Sequence, residues 1–114
     1  MTSTVKSKKP QLGDIQLQAV ADLFNVLSEP TRLKILQFLQ CGPATVGEII
    51  DATGLKQANT SKQLGILHQA GVVAREKHGN AVRYSIRLPL VFDLCALVCE
   101  GLRREAEARA KVLR

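Results

Sequence analysis

Long apolar runs are missing from this chain: none approaches the roughly 18–20 residues of a membrane-spanning helix. The opening MTSTVKSKKP lacks the apolar segment that marks a secretory leader. Cysteine is scarce as well. Cys41, Cys95 and Cys99 are an odd number and do not make a self-contained disulfide framework. Aromatic residues are only 4% of the 114 positions, and tryptophan is absent. There is no phosphate-binding glycine loop, no metalloprotease motif and no nucleophile with a histidine partner. These absences argue against a spanning membrane protein, a disulfide-stapled secreted domain and an enzyme. They leave a cytoplasmic protein with reduced thiols as the simplest reading.

Positive charge is what the chain has in excess. Sixteen Lys and Arg against ten Asp and Glu give a formal charge of +6 and a pI near 9.6. That balance suits a polyanionic partner such as nucleic acid, although many small soluble proteins are basic for no specific reason. The length suits one domain with a modest core, which a second chain could enlarge.

The order of elements narrows the class. Residues 1–12 carry Lys6, Lys8 and Lys9 with little that is apolar, and are expected to form a disordered basic arm. Leu17, Val20, Ala21, Phe24 and Leu27 recur at helical spacing and predict a first helix from about Asp14 to Leu27. Ser28 is the expected N-cap of a second helix, with Pro30 in its first turn and Leu33, Ile35, Leu36 and Leu39 on its apolar face. Cys41-Gly42-Pro43 ends it. Thr45 and Glu48 have capping-box spacing for a third helix that Gly54 closes. A fourth helix, about Gln57 to Ala70, follows within three residues. Residues 72–77 and 81–87 read as two strands around a His78-Gly79-Asn80 turn, with Arg83, Ser85 and Arg87 alternating with Val82, Tyr84 and Ile86. A last helix starts near Pro89, and its end, 106–114, is charged and expected to fray.

Helix, tight turn, polar-faced helix and basic hairpin in that order predict a winged helix-turn-helix. The expected fold is mainly α, four helices, then a two-stranded β-wing, then a fifth helix, with residues 13–105 as the DNA-binding and dimerisation domain. The fourth helix crowds Gln57, Asn59, Thr60, Ser61, Lys62 and Gln63 into its first two turns. Gln and Asn amides can pair bidentately with an adenine edge, while Lys donates to guanine or phosphate. On the hairpin, Arg75, Lys77, His78 and Arg83 would neutralise phosphates.

Three segments carry a family resemblance: LSEPTRLKIL at 27–36, GLKQANTSKQLGILHQAGVV at 54–73 and AVRYSI at 81–86. Together they resemble the ArsR/SmtB family of bacterial winged-helix repressors, over about residues 20–100. The resemblance implies a homodimer that binds operator DNA and releases it when an inducer binds. Three departures stand out. The helix VGEIIDATG has no cysteine, so the family's arsenic site there is absent. The last helix has Asp93 and Glu100 but no histidine, unlike the family's zinc sensors. Lys56 stands where relatives usually place a capping serine; it cannot accept the first-turn N–H bonds but can contact a phosphate.

Cys95 and Cys99 are one helical turn apart and share a side of the last helix. Two readings are open. They are small buried hydrophobes, or they bind arsenite or another thiophilic ion, or are persulfidated or oxidised, with Cys41 joining if the fold brings it near. The expected dimer interface comprises Leu17, Val20 and Phe24 of the first helix and Leu90, Leu94, Leu97, Val98 and Leu102 of the last. The expected function is thus a dimeric regulator, a repressor, on double-stranded DNA with an imperfect palindrome. The rivals are a constitutive regulator with inert cysteines and a winged-helix protein-interaction module.

Overall fold

The computed structural model describes residues 11–113, so most of the expected basic arm lies outside the described residues. Five helices and three strands follow in the order α1 (Asp14–Leu27), α2 (Pro30–Leu39), β1 (Ala44–Thr45), α3 (Val46–Thr53), α4 (Gln57–Gln69), β2 (Val73–His78), β3 (Ala81–Ile86) and α5 (Leu90–Leu113). The fold is a winged helix-turn-helix, as the order of elements predicts.

Local chemistry explains most of the boundaries. Thr45 and Glu48 form the expected capping box: Thr45 Oγ1 accepts from the Glu48 N–H at 3.2 Å, and Glu48 Oε1 accepts from the Thr45 N–H at 2.8 Å. Gly54 closes α3 at φ +74°, a left-handed conformation that suits glycine. The α2 start differs from expectation. Glu29, not Ser28, is the N-cap, its carboxylate accepting from the N–H groups of Thr31 and Arg32. Ser28 instead closes α1, its hydroxyl donating to the Asn25 carbonyl. Pro30 sits at the first helical position, where its missing N–H leaves no orphan donor.

The sheet has one strand more than expected. β2 and β3 form the antiparallel wing, closed by the pair His78 and Ala81 around Gly79-Asn80. Gly79 alone of these two has positive φ, +62°, which fits a type II′ turn. β1 adds to the other edge of β3 through Ala44–Tyr84 and Thr45–Arg83. Two residues are too short to show a strand period, so only the fold reveals β1.

The core gathers Ile35, Leu36 and Leu39 of α2, Ile49 of α3, Leu64 and Leu67 of α4, Val72 and Val73, and Val91 of α5. α1 and α5 join it only through Leu27, Val91 and the residues around them, and the rest of each helix extends beyond it. Residues 11–22 and 101–112 are exposed throughout, and the radius of gyration is 18.4 Å, against roughly 13 Å for a compact domain of this size. α5 is helical to Leu113 through its charged end, with Arg103 bridging Glu100 and Glu107. No helix among the described residues is long and apolar enough to cross a membrane.

Candidate nucleic-acid interface

The turn between α3 and α4 sets the site. Gly54 redirects the chain, Leu55 packs on the core, and Lys56 takes the N-cap of α4. No side chain caps that end. The first-turn N–H groups of α4 therefore keep their hydrogen-bonding capacity at the positive end of a helix dipole. Lys56, Gln57, Asn59, Ser61 and Lys62 are exposed around this end. Gln57 and Ser61 lie one turn apart and share a face.

Two members of the expected contact set belong to the interior. Thr60 is fully buried, its hydroxyl donating to the Lys56 carbonyl at 2.8 Å. Gln63 is buried as well and accepts from Arg32 Nη1 at 2.8 Å. Both sit on the core side of α4, one turn from Leu64 and Leu67, so neither reaches the surface that a groove would meet. A polar residue type does not reveal its face when a buried donor from another helix satisfies it. That donor, Arg32, is marked in the sequence only by its place within LSEPTRLKIL.

The wing divides its charges between two faces. Residues paired across an antiparallel ladder share a face. Arg75 pairs with Tyr84 and Lys77 with Val82, whereas Glu76 pairs with Arg83 and His78 with Ala81. Arg75 and Lys77 thus lie on one face, and Arg83 and His78 lie with Glu76 on the other. Arg75, Lys77, His78 and Arg83 do not form the single cluster that their spacing suggests. Arg75 Nε donates to the Tyr84 hydroxyl at 3.2 Å. Arg83 lies 3.7 Å from Glu48, and His78 lies 3.7 Å from Glu76. The Thr45 N–H bond, with the Arg83 charge adding to it, holds the Glu48 carboxyl below the usual carboxylate range. Lys77 is exposed and has no ion-pair partner among the described residues.

The apolar surface lies on the other side. Leu17, Val20 and Phe24 of α1 are exposed, as are Leu90, Leu97, Val98 and Leu102 of α5; Leu97 keeps 72% of its area in solvent. Leu94 departs from that set, because it is half-buried against the protomer's own core. Cys95 and Cys99 line an apolar hollow of about 370 Å³ with Phe24, Leu27, Leu33 and Leu102. Cys41 is exposed and lines a different hollow, beside Phe38, Glu48 and Asp51. Within one protomer it does not complete a site with the other two thiols. Glu100 is occupied by Arg103 and Arg104, and no group of three His, Cys, Asp or Glu among the described residues is placed to hold a metal ion.

Known proteins share this arrangement. Residues 29–75 match the family described as bacterial regulatory protein, arsR family. The uncharacterised HTH-type transcriptional regulator Rv0081 of Mycobacterium tuberculosis is 40% identical over 94 residues, 82% of each chain. Its crystal structure superposes with a TM-score of 0.74 at 36% identity, covering 86% of this chain and 99% of that one. The solution structure of the homodimeric winged helix-turn-helix DNA-binding domain of Mb0332 from Mycobacterium bovis gives 0.69 at 30% identity, covering 83% and 91%. The crystal structure of the antimony-specific transcriptional repressor AntR gives 0.74 at 30% identity, covering 87% and 89%.

Proposed function

Since the chain belongs to the ArsR family, whose members are DNA-binding transcriptional regulators and not enzymes, we propose that it acts as a homodimeric repressor on an imperfect palindromic operator. The observation that carries this reading is the uncapped, exposed start of α4. It presents Lys56, Gln57, Asn59, Ser61 and Lys62 beside a wing that bears Arg75 and Lys77. An α-helix fits a major groove, where amide and ammonium groups meet base edges and phosphates. The wing cations add affinity without sequence information by neutralising phosphates beside the groove.

Dimerisation supplies the second recognition helix. The exposed apolar faces of α1 and α5 are larger than a lone protomer leaves in water. α5 is 24 residues, about 36 Å long, enough for a partner helix to run beside it. The homodimeric Mycobacterium bovis domain supports the same use of this fold here. Two such helices reach successive major grooves about one helical turn apart. Fluorescence anisotropy tests the reading directly: the protein should bind fragments of its own upstream DNA far more tightly than random duplex. Equal affinity for both would reject it.

The inducer reading rests on the hollow that holds Cys95 and Cys99. Two thiols on an apolar wall suit a soft, thiol-seeking ion such as arsenite or antimonite, or persulfidation. Likeness to an antimony-specific repressor supports that chemistry. Because the hollow lies against the α1 and α5 faces, a ligand there would change how two protomers pack and so the spacing of their recognition helices. A second reading is a constitutive regulator with inert cysteines. The absence of a third ligating group beside the pair, among the described residues, favours it.

A further inference from the structure

One chain of hydrogen bonds runs from the end of α1 into the DNA-facing surface of α4, and its direction is set by chemistry. Arg32 Nε donates to the Val26 carbonyl at 2.6 Å, and Arg32 Nη2 reaches the Asn25 carbonyl at 3.4 Å. The Arg32 backbone N–H is held by Glu29 Oε1. The guanidinium is therefore fixed at the junction of α1 and α2, and its Nη1 meets Gln63, 31 residues away in sequence, at 2.8 Å. A guanidinium only donates. The Gln63 atom it meets must be the amide oxygen, which turns the Gln63 NH2 away from Arg32. That NH2 donates to Asn59 Oδ1 at 3.0 Å.

The consequence falls on Asn59, which is exposed on the first turn of α4. A free asparagine presents donor and acceptor together and pairs with both N6 and N7 of adenine. Here its oxygen is engaged from within, so its NH2 faces outward. We propose that Gln63, locked by Arg32, is a positioning residue for base reading: it makes Asn59 a donor that selects a base edge rich in acceptors, guanine O6 and N7 or thymine O4. Base pairs that present an exocyclic amine at the same place, adenine N6 or cytosine N4, are disfavoured because two donors would face each other. This inference rests on the DNA-binding reading of α4 and adds a polarity to one of its contacts.

Gln63→Glu separates the idea from a merely structural role. A carboxylate at 63 keeps the bond to Arg32, as an ion pair, but cannot donate to Asn59. The Asn59 amide then turns its NH2 inward to the carboxylate and its oxygen outward. The base preference should reverse, from acceptor-bearing to donor-bearing edges, at one position in each half-site. Binding-site selection from randomised duplexes reads this, with Asn59→Ala identifying the position by abolishing preference there. Circular dichroism reports whether each variant is folded. The wild-type preference at that position should be about 5- to 150-fold, the range for one good base contact. If Gln63→Glu does not fold, Gln63→Met, of similar volume, releases the Asn59 amide to rotate and should relax the preference at the same position.

A reversed preference for Gln63→Glu, or a relaxed one for Gln63→Met, at the position that Asn59→Ala marks supports the proposal. An unchanged preference there, in folded protein, overturns it while leaving DNA binding intact. A wild-type protein with no sequence preference at all overturns the DNA-reading function itself, and this inference with it.

Discussion

Glu48 lies 3.7 Å from Arg83 while it caps the start of α3 through the Thr45 N–H. One carboxylate thus ties the root of the wing to the first helix of the helix-turn-helix. The tie depends on β1, which places Thr45 directly opposite Arg83 on the β-ladder. The wing and the helix-turn-helix are held in register by this corner.

The corner has a stability signature. Thr45→Ala removes the side chain that caps α3 and should destabilise the protein by about 0.5–2 kcal/mol, read from urea unfolding at neutral pH. The Glu48 carboxyl is lowered in the folded protein, first by the Thr45 N–H bond and also by the Arg83 charge. Its contribution is therefore present above the unfolded carboxylate value and is lost as pH falls through the lower folded value. Stability of the wild type should drop more steeply than that of Glu48→Gln as pH falls below the ordinary glutamate range. Parallel pH profiles for the two proteins would remove Glu48 from this role.

The two faces of the wing should differ in their effect on salt dependence. Lys77 carries no ion-pair partner among the described residues, whereas Arg83 is already compensated by Glu48 and faces Glu76. Lys77→Ala should flatten the plot of log affinity against log salt by about one unit of slope. Arg83→Ala should change it less. The reverse order would place the DNA backbone on the Arg83 face.

Base reading should follow exposure along α4. Gln57→Ala should reduce discrimination between operator and random DNA by roughly 1–3 kcal/mol. Thr60→Val should leave discrimination unchanged, because the Thr60 hydroxyl is buried and satisfied within its own helix. A loss of discrimination in folded Thr60→Val would mean that α4 meets DNA through a different face.

Oligomeric state is open to a direct test. Sedimentation at micromolar concentration should show twice the chain mass. Leu97 is 72% exposed in the protomer, so Leu97→Glu should leave the fold intact while dissociating the dimer and abolishing operator binding. A monomeric wild type would remove the paired-helix account of DNA binding.

Thiol sensing can be isolated in the same assay. Arsenite or a polysulfide donor should lower wild-type operator affinity by about 5- to 150-fold, the usual range of allosteric coupling. Replacing both Cys95 and Cys99 with Ser should abolish the response and keep basal binding. Cys41→Ser should behave as wild type, since Cys41 lines a separate hollow. A wild type indifferent to every such agent would leave the constitutive reading.

Short-range rules were legible along the chain. The Thr45–Glu48 capping box spans three residues, the helical periods repeat within a turn, and Gly54 and Gly79 carry the left-handed conformations that close their turns. Those rules suffice for the order of elements and for the winged helix-turn-helix class, because each depends on neighbours within about four residues. The polar composition of α4 was equally plain, and Gln57, Asn59, Ser61 and Lys62 are exposed on it. Which of those side chains faces outward was decided by tertiary structure. Gln63 is internal because Arg32, 31 positions earlier, arrives to donate to it, and no local pattern announces a partner at that distance. The same holds for the two-residue strand at Ala44–Thr45, which exists only through pairing with β3, and for the division of the wing cations by ladder register. Cys41 and the Cys95–Cys99 pair were likewise assigned to separate hollows only by the packing of α2 against α5 and α3. Periodicity carries the faces of single elements; the contacts between elements follow from burial and hydrogen-bond satisfaction across the whole chain.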